Sequence, residues 1–539
     1  MKVLFEIFLT GEPEKRKACI QKINEEFNVK LKPLFEHHAS LNTSMDLFYK
    51  MSLKTNESDA WIVANKLMAI EGVEDVDPAV YEMNEAIELE PDQDEIEGAN
   101  ESTETPHPNW IHKNSRFSDA ISYAKEEGQK GRGNYTGGQS GIKIAQLDTG
   151  YSNHPEIAAV KKEQGWNYVY TIWDRIRSLL FNWKPAKRVA KDRLRTLRPF
   201  KWAAHGTATA AIIIGQPTLN RGITSKSKDR TDGVFPYVDL IPYRVSETII
   251  SFNNKVAHAA FQAIKDGCKI ITMSHAGLLR KRSWKEAAAA AYEAGVIWVA
   301  ATGSHIKNIK TVWLYPAKFP EVITAAASKP DDTVWEKSFA GNKVEISAPG
   351  YQIYVPFARK GRKYRYKWSE GTSFSTPMVA AAAALWLAHH GEKKLTEVYD
   401  KGWQQVEAFR WCLKKSANTP AVWDKELHGE GLLDVRKLLE IDLPPKDGLV
   451  HATKGKLTKK MENEEAKKRY IQDKEITYLT ACAKMELRDE RKNETYDFVK
   501  KRASSISVDR IREIVEVNDE DNSELLKAHV KKHAEDWNY

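Results

Sequence analysis

Hydrophobic and polar positions divide the chain into three stretches of different rhythm. In the first, residues 2–10 (KVLFEIFLT) alternate in the manner of a strand. Residues 13–28 carry Cys19, Ile20, Ile23 and Phe27 on one face of a helix. Residues 29–36 and 45–54 predict two more strands. Residues 58–71 predict a helix with Ala60, Ile62, Val63, Leu67 and Met68 available for packing, and residues 73–81 a last strand. The order is βαββαβ. The second stretch has continuous apolar runs instead of alternating ones. Residues 142–147 (IKIAQL) and 295–301 (GVIWVAA) predict buried strands, and residues 208–215 (ATAAIIIG) and 378–388 (MVAAAAALWLA) predict buried helices. The second of these helices is too short to cross a bilayer. The third stretch, residues 456–539, is rich in Lys and Glu and predicts amphipathic helices, one candidate spanning residues 470–487.

Candidate chemistry sits at the ends of the apolar runs. Asp148-Thr149-Gly150 closes the 142–147 strand, which places an acid at the carboxyl end of a parallel strand, where α/β sheets carry their sites. His205-Gly206-Thr207 opens the 208–215 run. Gly371-Thr372-Ser373 precedes Pro377 and the 378–388 run. A serine hydroxyl is a weak nucleophile; it needs a histidine to take its proton and a carboxylate to orient that histidine. A serine ahead of a helix also lies at the positive end of the helix dipole, and Pro377 suits a first helical turn. Ser375 competes for the nucleophile's role, but the Gly-Thr-Ser word selects Ser373.

Asp148, His205 and Ser373, in that order, resemble the catalytic residues of the subtilisin-like serine proteases, the subtilases. Residues 233–236 (GVFP), 263–274 (AIKDGCKIITMS), 315–323 (YPAKFPEVI), 347–350 (SAPG) and 429–435 (GEGLLDV) resemble later landmarks of that family in the right order. The resemblance covers roughly residues 105–440. It implies an α/β fold with a mostly parallel sheet flanked by helices. It also implies a serine endopeptidase for protein or peptide substrates, in which Ser373 attacks, His205 shuttles the proton and Asp148 orients His205. Ser274, His275, Ala276 and Gly277 form one expected substrate-binding edge, and Ala301, Thr302 and Gly303 the other. The family's oxyanion asparagine is replaced by Ser304, so Ser304, or a neighbour such as His305 or Asn308, is the candidate donor beside the Ser373 N–H. The βαββαβ order of residues 1–82 is the ferredoxin-like α+β pattern and resembles the inhibitory prodomains of subtilases. The alternative reading is a catalytically silent subtilase shell that binds peptides or awaits a partner.

Composition adds an address and a set of boundaries. The chain has 539 residues, a net charge of +8 and four cysteines. Cys19, Cys268, Cys412 and Cys482 are far apart and form no metal-binding pair, which reads as a reducing, cytoplasmic compartment. Residues 1–9 lack the features of a secretion signal, and no stretch is long enough to span a membrane. Residues 83–106 form an acidic linker, with ten acids and no Lys or Arg between Glu82 and Glu104. The catalytic region runs over residues 107–442, with an insertion at about 160–201. Within it, residues 184–201 hold eight basic residues and one acid. This run reads first as a solvated face, second as a contact for the acidic linker or an acidic protein, and last as a nucleic-acid site. Residues 449–539 are a helical region of unrecognised family, where an activating protein partner can dock or which caps the protease. No cofactor or metal is implied; subtilases often bind structural calcium, but no clear acidic ligand loop is present.

Overall fold

The runs without alternation become a sheet buried on both faces. In the computed structural model, β5 (Lys143–Asp148), β6 (Trp166–Asn167), β7 (Asp239–Arg244), β8 (Ile270–Met273), β9 (Ile297–Ala301), β10 (Ile323–Ser328) and β11 (Ile346–Pro349) form seven strands ordered β11-β10-β9-β8-β5-β7-β6. Every neighbouring pair is parallel. The structure describes residues 2–35, 44–55, 57–79, 106–169, 189–192, 204–216, 232–247, 254–277, 280–304, 314–358, 365–453, 466–468, 470–472 and 474–475. The acidic linker, most of the basic insertion, His305, Asn308 and the chain beyond residue 475 lie outside the described residues.

Strand alternation sorts the apolar side chains into two cores. Ile144, Ile270, Ile297 and Val299 face one side, against the helices at His205–Ile214 and Thr372–His390. Ala145, Leu147, Ile271, Met273 and Trp298 face the other, against the helices at Lys255–Lys265 and Arg282–Glu293. A sheet covered on both faces has to be apolar along its whole length, which is why these strands read as unbroken apolar runs.

The N-terminal stretch forms its own four-stranded antiparallel sheet, β2-β3-β1-β4, from β1 (Lys2–Leu9), β2 (Lys32–Pro33), β3 (Phe48–Lys54) and β4 (Val73–Pro78). Helices α1 (Pro13–Glu26) and α2 (Glu57–Ala69) cover one face. Val3, Phe5, Ile7 and Leu9 point toward these helices. The intervening residues of β1 point away from them, where Phe8 packs with Phe48 into the core of the protease helices. Ile62, expected to be available for packing, is 50% exposed. Numbering the protease helices after these two, α3 is His205–Ile214, α4 Lys255–Lys265, α5 Arg282–Glu293 and α6 Thr372–His390.

One boundary differs from expectation. Helix α6 begins at Thr372, so Ser373 lies inside its first turn, and Pro377 lies within the helix instead of opening it. Proline has no N–H to donate to the carbonyl four residues back. The Ser373 carbonyl is therefore open, and the Ser274 hydroxyl donates to it at 2.8 Å. At the other end of α6, His389 and His390 are buried.

Candidate active site

The carboxyl ends of β5, β8 and β9 and the amino ends of α3 and α6 meet at one place. Asp148 is the last residue of β5 and His205 the first of α3. Asp148 Oδ1 accepts from His205 Nδ1 at 2.8 Å and from the Thr149 N–H at 2.7 Å. Thr209, one turn along α3, donates its hydroxyl to Asp148 Oδ2 at 3.0 Å. Both the Asp148 and His205 side chains are buried. Burial works to raise the Asp148 pKa, but the adjacent imidazole and these hydrogen bonds outweigh it and hold the carboxyl below its usual range. An ionised carboxylate can only accept, so Nδ1 carries the proton and Nε2 keeps the lone pair that base catalysis requires.

Around this pair runs a second ring of polar groups that periodicity alone does not reveal. Gln146 donates to the Gly206 carbonyl and to Thr209 Oγ1, each at 2.8 Å. The Thr149 hydroxyl accepts the Gly206 N–H at 3.1 Å and donates to Asp192 Oδ2 at 3.1 Å. Asp192 Oδ2 also accepts the Ala204 N–H at 2.9 Å, and Arg244 Nε donates to the Thr149 carbonyl at 3.1 Å. Asp192 is the one acid in the basic 184–201 run, and Thr209 is the one polar residue in the 208–215 run. Those two irregularities were the available signals.

Ser373 lies in the first turn of α6, against Ser274 at the end of β8. Its hydroxyl donates to the Ser274 carbonyl at 2.9 Å, so Ser274 and Ser373 exchange two hydrogen bonds. Ser375, the competing serine, is fully buried and donates to the Ala348 carbonyl at 2.9 Å. Ser304 Oγ lies 3.3 Å from the Thr372 N–H, which it accepts, and 3.4 Å from Thr372 Oγ1. Ser304 is thus fastened to the amino end of α6, one residue before the nucleophile candidate.

The two expected substrate edges are tied into the surrounding framework. Gly277 exchanges both backbone groups with Tyr315 at 2.8 Å. The Gly303 N–H donates to Thr372 Oγ1 at 3.2 Å, and its carbonyl accepts the Phe339 N–H at 3.0 Å. Gly303 has φ +104°, and a Cβ there would lie 2.5 Å from the Phe339 ring, so no side chain fits at this position. Thr302 gives its N–H to the Ala325 carbonyl at 3.2 Å and is wholly buried, and Ala301 ends β9 in the same buried layer. Ala276 is buried beside them. His275 is buried as well, with its ring against the Leu147 backbone. It lies near enough to Asp148 and His205 to feel both charges; burial, the largest influence, pulls its pKa down to about 4. Among the described residues no three His, Cys, Asp or Glu side chains gather to hold a metal, no helix is long and apolar enough to cross a membrane, and Cys19, Cys268 and Cys412 are free buried thiols.

Comparison with known proteins identifies the family. Residues 139–429 match the model of the subtilase family. The chain is 30% identical over 258 residues to thermitase of Thermoactinomyces vulgaris, covering 47% of this chain and 76% of the relative. It is 27% identical over 205 residues to subtilisin DY of Bacillus licheniformis, covering 38% and 69%. Among solved structures, fervidolysin from Fervidobacterium pennivorans, a keratinolytic enzyme related to subtilisin, superposes with a TM-score of 0.54 at 18% identity, over 82% of this chain and 62% of that one. The chain belongs to the subtilase family and is a serine endopeptidase, with proteins or peptides as substrates.

Proposed function

We propose that Asp148, His205 and Ser373 are the triad of a cytoplasmic endopeptidase restrained by its N-terminal domain and the acidic linker that follows. The observation that carries the assignment is the 2.8 Å bond between His205 Nδ1 and Asp148. It leaves Nε2 as the base, on a helix whose first residue meets the end of β5. In this reading Ser373 turns its hydroxyl from the Ser274 carbonyl to Nε2 and attacks the peptide carbonyl as the proton passes to His205. The imidazolium, held by Asp148, then protonates the leaving amine. The resulting oxyanion takes the Ser373 N–H, at the positive end of α6, and the Ser304 hydroxyl, whose oxygen accepts the Thr372 N–H. The hydroxyl resting on Ser274 supports restraint, because it must be released before attack. Activation by a protein partner docking on the C-terminal helical region is the companion reading.

Fluorophosphonate labelling tests the assignment. Full-length chain, and chain from which residues 1–105 have been removed by cleavage, are expected to label at Ser373, the second faster. Ser373→Ala is expected to abolish labelling and Ser375→Ala to leave it intact. Repeated failure of the folded, cleaved chain to label would favour a silent peptide-binding shell. In the active form, Ser304→Ala is expected to lower kcat by about a hundred- to a thousand-fold, the usual loss for one oxyanion donor; an unchanged single-turnover rate would clear Ser304 of that role.

A further inference from the structure

Residues 466–475 come from beyond the protease domain, yet they pack on the N-terminal one. The described positions among them are helical. Ile471 is completely buried in the core formed by Val3, Phe5, Ile23, Leu67 and Val76, and Tyr470 packs at its edge. Three polar side chains fasten the same segment to β4. Lys474 Nζ is paired with Asp75 and lies 2.8 Å from Asp77 Oδ1 and 3.3 Å from the Val76 carbonyl. The Tyr470 hydroxyl donates to Asp75 Oδ2 at 3.1 Å, and Lys467 Nζ reaches the Val73 carbonyl at 3.5 Å.

Asp77 is a junction of three parts of the chain. Its Oδ1 takes Lys474, and its Oδ2 accepts the N–H of Arg282, the first residue of α5, at 3.3 Å. Beside Asp77 on the same face of the N-terminal sheet, its cross-strand neighbour Glu6 pairs with Lys281 at 3.2 Å and accepts from Ser283 at 3.0 Å. Phe8 lies 4.5 Å below the Arg282 guanidinium. The N-terminal domain is therefore gripped from two directions, by the protease helices and by a segment that follows them in sequence. Burial opposes the charge on Lys474, but Asp75 and Asp77 outweigh it and keep the ammonium protonated.

We propose that residues 466–475 are a clasp: they hold the N-terminal domain on the protease, so that cutting the chain between them does not by itself release the domain. The proposal gives a mode of regulation to the restraining domain proposed above, and for that consequence it rests on that reading. A restraint held this way is relieved by opening the clasp, not by a single cut in the linker.

The test uses the full chain carrying Ser373→Ala, to prevent self-cleavage, with a recognition sequence for a site-specific protease placed within residues 83–106. After cutting, the N-terminal piece is expected to co-elute with the remainder on size exclusion at micromolar concentration. With Lys474→Glu, or Ile471→Asp, it is expected to dissociate at least about ten times faster. Release from the unaltered cut chain, or equal retention in the clasp variants, would overturn the proposal. If a variant disturbs folding, Lys474→Met makes the same comparison with a smaller change. Hydrogen exchange on the uncut chain gives a second readout: Lys474→Met should speed exchange at residues 73–78 and leave β5 and β8 protected, and unchanged exchange at 73–78 would also overturn it. Retention is measured without activity, so inhibition can fail as a reading while the clasp stands.

Discussion

A buried histidine has lost the hydration that would stabilise its charged form, and His275 is such a residue beside the candidate triad. Its folded pKa is about 4 against 6.5 for the free side chain. Between those values the unfolded chain binds a proton that the folded one refuses. Stability is therefore fully present above pH 6.5 and is lost as the pH falls toward 4. His275→Leu removes this liability. The variant's stability relative to the parent is expected to grow as the pH falls from 7 to 4, by up to about 3 kcal/mol at 1.36 kcal/mol per unit. Urea unfolding at pH 7, 5.5 and 4 measures it, and a constant gap would show that His275 ionises normally in the fold. At this scale the triad was legible because each member stands in a word of small neighbours at the end of an apolar run. His275 was legible only as part of an edge: a sequence shows that a side chain follows a strand, not whether it turns outward or into the sheet. Asp192 escaped for the opposite reason. It looks like a stray acid in a basic run, and only the fold brings it to Thr149 and Ala204.

The elements around the site are set by backbone contact as much as by side chains. Gly206 follows His205 in α3, and a Cβ there would lie 2.3 Å from the Gly150 carbonyl oxygen. Gly150 has φ +99°, and a Cβ on it would lie 2.3 Å from the Ala190 carbonyl oxygen. The β5 loop, the start of α3 and the strand-like residues 190–192 are thus stacked backbone on backbone, with no room for a methyl group. Gly206→Ala must move α3 away from β5 and lengthen the His205–Asp148 bond. It is expected to lower kcat/KM by about a hundred-fold, the scale of an ångström's misplacement at a reacting group, while the unfolding midpoint moves far less than a core truncation would move it. Activity within a few-fold of the parent would show that the loop yields. The strands and buried helices were readable from apolar runs, and the N-terminal βαββαβ order from period alone. The start of α6 was not, because Thr372 to Pro377 read as a loop leading to a proline-capped helix; the Ser274 hydroxyl that substitutes for the missing proline N–H comes from a strand about a hundred residues earlier.

At the scale of the molecule, the interface between the N-terminal sheet and the protease has a buried ion pair at its centre. The Lys281 and Glu6 side chains are 4% and 2% exposed. Burial, the largest influence, pushes the Glu6 pKa up despite the neighbouring ammonium. Such a pair contributes less than its short distance suggests, since both charges have left water. Lys281→Met alone strands the carboxylate and is expected to weaken attachment of the N-terminal domain by about 3–5 kcal/mol, whereas Lys281→Met with Glu6→Leu should restore most of that loss. Thermal unfolding of the four members of this cycle decides it, and a double variant no better than the single would mean that the pair makes a large net contribution.

Order of synthesis gives the three-way junction at Asp77 a meaning in time. The N-terminal domain leaves the ribosome first, α5 well after it, and Lys474 last of the three. At about 5–20 residues per second, roughly 20–80 s separate the completion of β4 from the arrival of Lys474. From the arrival of α5 until then, the domain can rest on the nascent protease through Glu6, Phe8 and Asp77 alone, as a template that is still exchangeable. Attachment becomes tight only after the protease domain has been made, so a ribosome that stalls within that domain would leave a product whose N-terminal domain is only loosely held.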